Sequence, residues 1–369
     1  MTVYPTITVA GSPRQRGEQY GRQSAERIRR SLDGYRVAYW ASGIRWAAAR
    51  ERAAAFIAPI ERFDARQLAE LEGIAAGSGV DLIDVVALNI RTEVINSAQV
   101  LAERVPLRPL ECTALAGRRA DGSTVVAQNW DYFEHCRETL VVLAAEPDDA
   151  PAFVTLVEAG LLAKIGMNAC GLALVTNGLA TEDDDGAPGV PYHVLVRALI
   201  EAESLDAARA MLRRAERRAA SGNYLIATAD GAIADIEAWS GTEAPLSEVP
   251  PDDDGTVVHT NHCLVVPPDR AGAPFELTPT SASRLARARQ LVREHAGPLE
   301  PEDLQRMLAD HVGAPDGICT HADRRRPLLD RAPTCASLVM APSERLMLLA
   351  DGPPCETPYR ALDAAVLRG

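Results

Sequence analysis

The chain has 369 residues, of which 47% are hydrophobic and 24% are charged, and this composition excludes the disordered and fibrous classes of protein. Acidic residues number 51 and basic residues 38, so the formal net charge is -13. A basic surface for nucleic acid or for an acidic membrane is therefore not expected.

The first residues lack the basic start and apolar run of a secretory signal, and no window of about 18 apolar residues follows. These features predict a cytoplasmic protein with no membrane partner. Self-association into a homo-oligomer stays open.

The first part of the chain is predicted to be helical after a short strand at residues 6–10. Ser12 followed by Pro13 is typical of a helix start, and no breaker interrupts residues 15–36. Two more helices are predicted at residues 64–77 and 81–98, the second with Asp81 as its N-cap. We expect these helices to form one layer.

After a proline-flanked stretch the pattern changes to short strands separated by turn sequences. The predicted strands are 112–117, 124–130, 139–146, 152–158, 163–166 and 171–177. Consecutive hairpins of this kind predict a sheet built as a meander.

Helices and strands then alternate in groups to the end of the chain. The predicted helices are 191–203, 205–217, 281–295 and 301–311, and the predicted strands are 223–229, 232–239, 256–260, 335–341 and 345–350. Hairpins in place of β-α-β crossovers predict an α+β fold in which two antiparallel sheets stack and are covered by helices.

The residues that bind phosphates or metals elsewhere do not form recognisable motifs here. No glycine-rich phosphate loop occurs, the seven cysteines lack a C-x-x-C pair, and the pair His259 and His262 lacks an H-E-x-x-H context. We therefore predict no cofactor and no metal site. All cysteines except Cys112 are interpreted as structural, and the single lysine, Lys164, as a result of arginine-biased coding.

Cys112 opens one strand of a predicted hairpin, and Asp131 ends the other. Antiparallel pairing brings these two ends together. A carboxylate raises the pKa of a thiol, so another group must act as the base. If the chain were cut before Cys112, the freed α-amino group could act as this base, since its ordinary pKa is about 7.7 to 8.0. Asp131 could then orient the amine.

Several runs of residues resemble the autoproteolytic acyltransferases and amidases typified by acyl-coenzyme A:6-aminopenicillanate acyltransferase. The chain is also distantly similar to penicillin V acylases and bile salt hydrolases. The runs that carry the resemblance are 9–21, 71–79, 112–113, 128–131, 167–172, 258–262, 283–284 and 351–355. They follow the family's order over nearly the whole chain.

The resemblance implies the four-layer αββα sandwich of the N-terminal-nucleophile hydrolases. It also implies self-cleavage between Glu111 and Cys112, into a helical pro-segment of residues 1–111 and a catalytic chain of residues 112–369 that form one domain. Cys112 would be the nucleophile and, through its amine, the base. Asp131 matches the carboxylate beside that amine, and Asn261 matches a donor to the oxyanion.

The resemblance extends to further positions at the substrate or oxyanion site. Asn177 is similar to a second polar position, and Arg284 falls where relatives have an arginine. Bile salt and penicillin V enzymes tend to have arginine at the position of Gln128. The acyltransferase branch has glutamine there, as this chain does. Trp130 and Tyr132 are interpreted either as core residues or as lining for an acyl pocket.

Simpler structural roles remain possible for the same residues. Asp131 could close a turn, and Asn261 could satisfy backbone groups at a strand end. His259 and His262 are interpreted as packed, hydrogen-bonded histidines and not as bases.

The sequence therefore predicts an enzyme that hydrolyses an N-acyl amide through a thioester on Cys112. An acyltransferase that moves an acyl group from a thioester to an amine is the alternative. The expected partners of the protein are a small N-acyl amide, or an acyl thioester together with an amine, and its own cleaved pro-segment. Because Glu111, and not glycine, precedes the cut, an uncleaved binding protein is a third interpretation.

Overall fold

The computed structural model describes residues 3–101, 111–266 and 280–368. The helices in these ranges are α1 (Pro13–Ala41), α2 (Trp46–Ser78), α3 (Leu82–Asn89), α4 (Arg91–Leu101), α5 (Tyr192–Ile200), α6 (Leu205–Arg214), α7 (Ser281–His295) and α8 (Pro301–Leu308).

The strands up to the middle of the chain are β1 (Thr6–Gly11), β2 (Glu111–Arg118), β3 (Thr124–Asp131), β4 (Leu140–Pro147), β5 (Phe153–Glu158), β6 (Ile165–Asn168), β7 (Leu172–Gly178) and β8 (Arg217–Arg218). The later strands are β9 (Gly222–Thr228), β10 (Ile233–Ala238), β11 (Gly241–Thr242), β12 (Leu246–Val249), β13 (Val257–His259), β14 (Thr334–Ala341), β15 (Leu346–Ala350) and β16 (Arg360–Ala361).

Two sheets stack face to face in the middle of the molecule. The larger has the strand order β1-β4-β5-β6-β7-β9-β10-β12, and the smaller has the order β13-β2-β3-β14-β15-β16. Strands β2 and β3 of the smaller sheet contact β7 and β9 of the larger one. Helices α1 and α5 contact the larger sheet, and α7 and α8 contact the smaller. The fold is therefore the α+β αββα sandwich that the sequence predicts.

Successive side chains of β2 point to opposite sides of the smaller sheet. Cys112 and Ala114 belong to the large core cluster shared with the other sheet, whereas Leu115 packs in a second cluster with Leu285 and Leu304 of α7 and α8. This alternation aims the Cys112 side chain at the space between the sheets.

Glycines let the backbones of α1 and α2 approach closely. A Cβ atom on Gly17 would lie 2.1 Å from the carbonyl oxygen of Glu70, and one on Gly21 would lie 2.4 Å from that of Ile74. Any larger side chain at either position would force the helices apart. This contact gives a physical reason for the glycines in the run 9–21.

The helix starts predicted at Ser12 and Asp81 are confirmed, whereas the start predicted at residue 64 and some helix extents are wrong. Ser12 is the N-cap of α1, and the side chain of Asp81 accepts the Ile83 N–H over 2.8 Å at the start of α3. The helix predicted for 64–77 is the second half of α2, which bends at Asp64. The helix predicted for 81–98 is two helices, α3 and α4, because the chain leaves helical geometry at Ile90.

The single meander predicted for residues 112–177 is wrong. Strands β2 and β3 belong to the smaller sheet, and β4 to β7 belong to the larger one. Every residue of β3 is buried, as is every residue of β5, β6 and β7, so hydrophobicity does not distinguish the two sheets. The larger sheet also contains one parallel pair, between β1 and β4.

The part of the chain before Cys112 packs closely against the part that follows it. The first part of the chain supplies edge strand β1, and Arg91 of α4 forms a buried ion pair with Glu158 of β5 at 2.9 Å. Glu70 of α2 pairs in the same way with Arg197 of α5. Within the described ranges, no helix combines the length and the apolar character needed to cross a bilayer.

Candidate active site

The predicted meeting of Cys112 and Asp131 is confirmed. In the β2–β3 ladder Glu111 lies opposite Asp131, and Cys112 lies opposite Trp130. A hydrogen bond from the Asp131 backbone reaches the Cys112 thiol. Cys112 and Asp131 are both fully buried in this continuous chain.

The side chains of Asn261 and Arg284 form hydrogen bonds with the backbone of Cys112. The Cys112 N–H donates to Asn261 Oδ1 over 2.7 Å, and Arg284 Nη2 donates to the same oxygen over 3.0 Å. Arg284 Nη1 donates to the Cys112 carbonyl oxygen over 2.6 Å and to Thr113 Oγ1 over 3.0 Å. Both peptide groups of the proposed nucleophile are thus fixed from outside their own strand.

The side-chain amide of Asn261 is oriented by two further contacts. Its Nδ2 donates to the Gly178 carbonyl oxygen over 3.1 Å, and its backbone N–H donates to Ser281 Oγ over 2.8 Å. The oxygen of Asn261 therefore faces the Cys112 nitrogen, whereas the sequence analysis expects an oxyanion donor at this position. Ser281, at the start of α7, is a site residue that the sequence analysis missed.

Asp131 has a neighbour that the sequence does not reveal. Thr320 Oγ1 donates to Asp131 Oδ2 over 3.2 Å. Thr320 lies between α8 and β14, and its own N–H donates to Thr334 Oγ1 over 3.0 Å. A hydrogen bond to the ionised carboxyl stabilises the charge that would hold a nearby ammonium group.

Gln128 and Asn177 tie the two sheets together beside this cluster. Gln128 Nε2 donates to the Thr176 carbonyl oxygen over 2.7 Å, and Gln128 Oε1 accepts the Thr176 N–H over 3.2 Å. Asn177 Oδ1 accepts from Gln128 Nε2, and Asn177 Nδ2 donates to the His259 carbonyl oxygen, each over 3.5 Å. These contacts cross from the larger sheet to the smaller.

Lys164, which the sequence analysis set aside, is a charged neighbour of the site. It is buried, and its Nζ donates to Thr176 Oγ1 over 2.7 Å, to the Thr176 carbonyl oxygen over 3.1 Å and to Tyr192 Oη over 3.3 Å. Burial lowers the pKa of Lys164 to about 8, although interaction with Cys112 acts to raise it. Its electrostatic interaction with the thiol gives this single lysine a physical significance that coding bias does not explain.

Several groups act on the Cys112 thiol. Burial raises its pKa, and the Asp131 carboxylate adds to that effect. Lys164 and Arg284, being cations, lower the pKa of the thiol. The net shift is upward, which favours the protonated thiol in the continuous chain.

Trp130 and Tyr132 are fully buried next to these cations. Lys164 Nζ lies 5.9 Å from the centroid of a Trp130 ring, and the Arg91 guanidinium lies 4.4 Å from that of Tyr132. Both aromatic residues thus pack in the core of this structure. Their part in an acyl pocket stays a prediction.

The histidines near Asn261 have structural partners. His259 Nε2 contacts Glu237 Oε1 at 2.9 Å, and the two fully buried groups link the smaller sheet to the larger. Burial acts to lower the pKa of His259, but Asp235 and Glu237 raise it overall. His262 Nδ1 lies 2.6 Å from Ser281 Oγ. In the described part of the chain, the group of side chains suited to a metal ion includes none of these residues.

Known proteins resemble this chain in sequence over most of its length. The family model described as "Acyl-coenzyme A:6-aminopenicillanic acid acyl-transferase" matches residues 118–351, a segment that begins after Cys112 and contains Asp131, Asn177, Asn261 and Arg284. The acyl-coenzyme A:6-aminopenicillanic-acid-acyltransferase 40 kDa form of Emericella nidulans is 29% identical over 258 residues, which cover 69% of this chain and 67% of that protein.

Solved structures of two hydrolases are similar to this chain at low sequence identity. A variant of the conjugated bile acid hydrolase of Clostridium perfringens has a TM-score of 0.47 and 14% identity, covering 70% of this chain and 94% of that one. Penicillin V acylase of Agrobacterium tumefaciens has a TM-score of 0.37 and 14% identity, covering 65% and 83%. Because the family model matches well over half of its residues, this chain belongs to the acyl-coenzyme A:6-aminopenicillanic acid acyl-transferase family of enzymes.

Proposed function

We propose that this chain is a self-processing amidohydrolase whose nucleophile is the thiol of Cys112, freed as a new N-terminus. The observation that carries the proposal is the pair of hydrogen bonds by which Asn261 and Arg284 hold the N–H and the carbonyl oxygen of Cys112. A structural cysteine in a strand needs no such external support. A residue whose nitrogen must stay in place after its peptide bond is cut does need it.

Self-cleavage would begin with attack of the Cys112 sulfur on the carbonyl carbon of Glu111. The bond between that carbon and the Cys112 nitrogen breaks, the nitrogen leaves as an amine after taking up a proton, and the acyl group is left on sulfur as a thioester. Water then hydrolyses the thioester to the Glu111 carboxylate and the free thiol. This route separates residues 1–111 from residues 112–369.

Lys164 would assist the first of these steps, before any α-amino group exists. Its ammonium lowers the pKa of the Cys112 thiol, and the pKa of Lys164 itself is about 8. Close to neutral pH the residue can therefore supply a positive charge to the thiolate or, when neutral, accept its proton. After cleavage the amine of Cys112 takes over as the base, and Asp131 holds it.

The acyl-enzyme would form in the same way with an external substrate. The thiol attacks an acyl carbonyl, the amine leaves with a proton, and the acyl group remains on Cys112 as a thioester. Oxyanion donation by Asn261 requires its side-chain amide to turn, because Nδ2 faces the Gly178 carbonyl oxygen while Cys112 is held. Asn177 and backbone N–H groups are the other available donors.

Acyl transfer to an amine is the second candidate function. It shares the first half-reaction, and both the membership in an acyl-transferase family and Gln128 in place of arginine favour it. Small N-acyl amides, or acyl thioesters together with an amine, are the substrate classes for the two functions.

Trapping the acyl-enzyme tests the proposal. Processed protein is mixed with a panel of N-acyl amides and acyl thioesters, quenched in acid and digested, and the peptide that begins at Cys112 is analysed by mass spectrometry. We expect the acyl mass on Cys112, and Cys170→Ser serves as the control because Cys170 is exposed elsewhere. Release of the acyl group to water supports the hydrolase, release to added amine supports the transferase, and acylation at another residue contradicts both.

A further inference from the structure

Two histidines and two cysteines from three separate segments converge beside the fold's smaller sheet. His311 follows α8, Cys319 and His321 precede β14, and Cys355 follows β15. One ligand atom from each lies within 4.8 Å of all the others. We propose that His311, Cys319, His321 and Cys355 form a structural zinc site.

The distances between the ligand atoms are close to those of a tetrahedral zinc site, with the two nitrogens slightly nearer to each other than a bound ion would hold them. Zn²⁺ binds sulfur at about 2.3 Å and imidazole nitrogen at about 2.0–2.1 Å, which sets tetrahedron edges of roughly 3.3–3.8 Å. The two Sγ atoms are 3.5 Å apart, and the two Nε2 atoms are 3.1 Å apart. His321 Nε2 lies 3.6 Å from Cys319 Sγ and 3.4 Å from Cys355 Sγ.

The residue next in sequence to Cys355 provides a supporting carboxylate. Glu356 Oε1 lies 3.3 Å from His321 Nδ1. A proton on Nδ1 that is donated to this carboxylate leaves the Nε2 lone pair of His321 directed at the other three ligands. Zinc-bound histidines commonly have such a carboxylate partner, which fixes the tautomer and the ring orientation.

The chemistry of the four ligands favours zinc over other ions. Two thiolates and two imidazoles in a tetrahedral arrangement suit Zn²⁺, whereas Mg²⁺ and Ca²⁺ prefer oxygen ligands. A bound dication would replace the proton on each sulfur.

Four protein ligands leave no open position, so the ion would be structural and not catalytic. Cys319 and His321 flank Thr320, whose hydroxyl group donates to Asp131. The Cys319 N–H also donates to the Asp310 carbonyl oxygen over 3.0 Å, next to His311. The ion would therefore fix the loop that brings Thr320 to Asp131, although zinc binding itself does not depend on the proposed function.

The site could not be predicted from the sequence because its ligands do not follow a zinc-binding spacing. Cys319 and His321 are separated by one residue, and Cys355 lies far along the chain. Only the turn after β15 brings Cys355 to the others.

The test is metal content together with cobalt substitution in the full chain. Protein made in zinc-supplemented medium and passed through a desalting column is expected to carry one Zn²⁺ per chain by elemental analysis. After removal of zinc by a chelator, added Co²⁺ should give a thiolate-to-cobalt charge-transfer band and the intense visible bands of a tetrahedral site. Absence of both the bound zinc and these bands would overturn the proposal.

Two variants locate the ion, and one serves as a matched control. Cys355→Ser and His311→Asn alter exposed ligands and should lose the zinc, whereas Cys170→Ser alters an exposed cysteine elsewhere and should keep it. Glu356→Gln should weaken zinc binding by about 10- to 100-fold, because it loses the carboxylate partner of His321. Zinc retained in both ligand variants, or a disulfide between Cys319 and Cys355 in freshly purified protein, would contradict the site.

The cobalt spectrum of the wild-type chain keeps the test valid if a ligand variant does not fold. Chelation should lower the melting temperature of the wild-type protein and of Cys170→Ser alike, and added zinc should restore it. A melting temperature that chelation leaves unchanged in zinc-loaded protein would contradict a structural role.

Discussion

The backbone N–H of Cys112 donates to the side-chain oxygen of Asn261 over 2.7 Å, although the two residues lie 149 positions apart in the chain. The nitrogen that self-cleavage would free is thus held by a distant segment while the peptide bond is still intact. A preorganised nitrogen loses little additional freedom when it becomes the base for the same residue's thiol.

Replacing Cys112 by alanine should abolish self-cleavage and leave the fold intact. Alanine is smaller than cysteine and fits the buried position between the sheets, and no other sulfur opens that strand. Denaturing electrophoresis and intact mass should show one chain, and the circular dichroism spectrum should match that of Cys170→Ser. Two fragments from Cys112→Ala would contradict self-attack by this thiol.

Replacing Asn261 by alanine should slow self-cleavage strongly and should lower the free energy of unfolding only modestly. The variant loses the acceptor for the Cys112 N–H and one partner of Arg284, at a cost of about 1–3 kcal/mol for the unsatisfied donors. The Asn261→Asp variant keeps the acceptor oxygen and should retain more of the cleavage rate. Equal rates in Asn261→Ala and wild type would show that this contact does not position the nitrogen.

Replacing Lys164 by methionine should raise the pKa of the Cys112 thiol, since a cation that lowers that pKa is removed. At neutral pH the thiolate fraction then falls, by roughly tenfold for each unit of pKa. The pH profile of Cys112 alkylation, read by peptide mass spectrometry on the uncleaved chain of the slowly cleaving Asn261→Ala variant, should move to higher pH. Lys164→Arg retains the positive charge, so its alkylation profile should move less than that of Lys164→Met. An unchanged profile in Lys164→Met would show that Lys164 does not act on the thiol.

The single lysine allows its titration to be followed directly. Protein labelled with [ε-¹³C]lysine has one labelled side chain, and its resonance should titrate near 8, well below the ordinary 10.5. The unfolded chain keeps this proton to higher pH than the folded chain does, so this group makes stability rise with pH between about 8 and 10.5. In Lys164→Met that rise should disappear. Titration close to 10.5 would contradict the desolvation of Lys164.

Replacing Thr320 by valine removes the hydroxyl group that donates to Asp131 and conserves side-chain volume. A hydrogen bond to a charged group contributes about 1.5–3 kcal/mol, so the Asp131 carboxylate loses part of its stabilisation. We expect Thr320→Val to turn over substrate more slowly, because Asp131 then holds the Cys112 amine less firmly. Thr320→Ser keeps the hydroxyl group and should behave like the wild type, and equal turnover in all three proteins would contradict the assigned contact.

The two products of self-cleavage should remain associated without denaturant. Arg91 and Glu158, on opposite sides of the cut, form an ion pair with both side chains 1% exposed. Removing one partner of such a pair costs about 3–5 kcal/mol. Glu158→Gln should lower the melting temperature, whereas Asp206→Asn, in a pair whose carboxylate is 93% exposed, should leave it unchanged. Fragments that separate on size-exclusion chromatography in plain buffer would contradict this close packing.

Some of the site could be predicted from the sequence because it depends on local pairing. Cys112 and Asp131 meet across one hairpin, and hairpin ends lie together whatever the rest of the fold. Asn261 and Arg284 could be proposed only through the family resemblance, because their contacts with Cys112 join distant segments.

Other parts of the site gave no local signal. Thr320 reaches Asp131 across 189 positions, and a lone threonine in a loop has no motif. Lys164 has its environment set by β7 and α5. The division of the strands between two sheets was hidden as well, since β3 of the smaller sheet and β7 of the larger one are both buried along their whole length.

N-terminal sequencing of the purified, active enzyme tests the central claim most directly. We predict two sequences in equal amounts, one from the start of the chain and one that begins Cys-Thr-Ala-Leu at Cys112. Active protein that yields only the first sequence would contradict the account, because the thiol would then have no amine of its own.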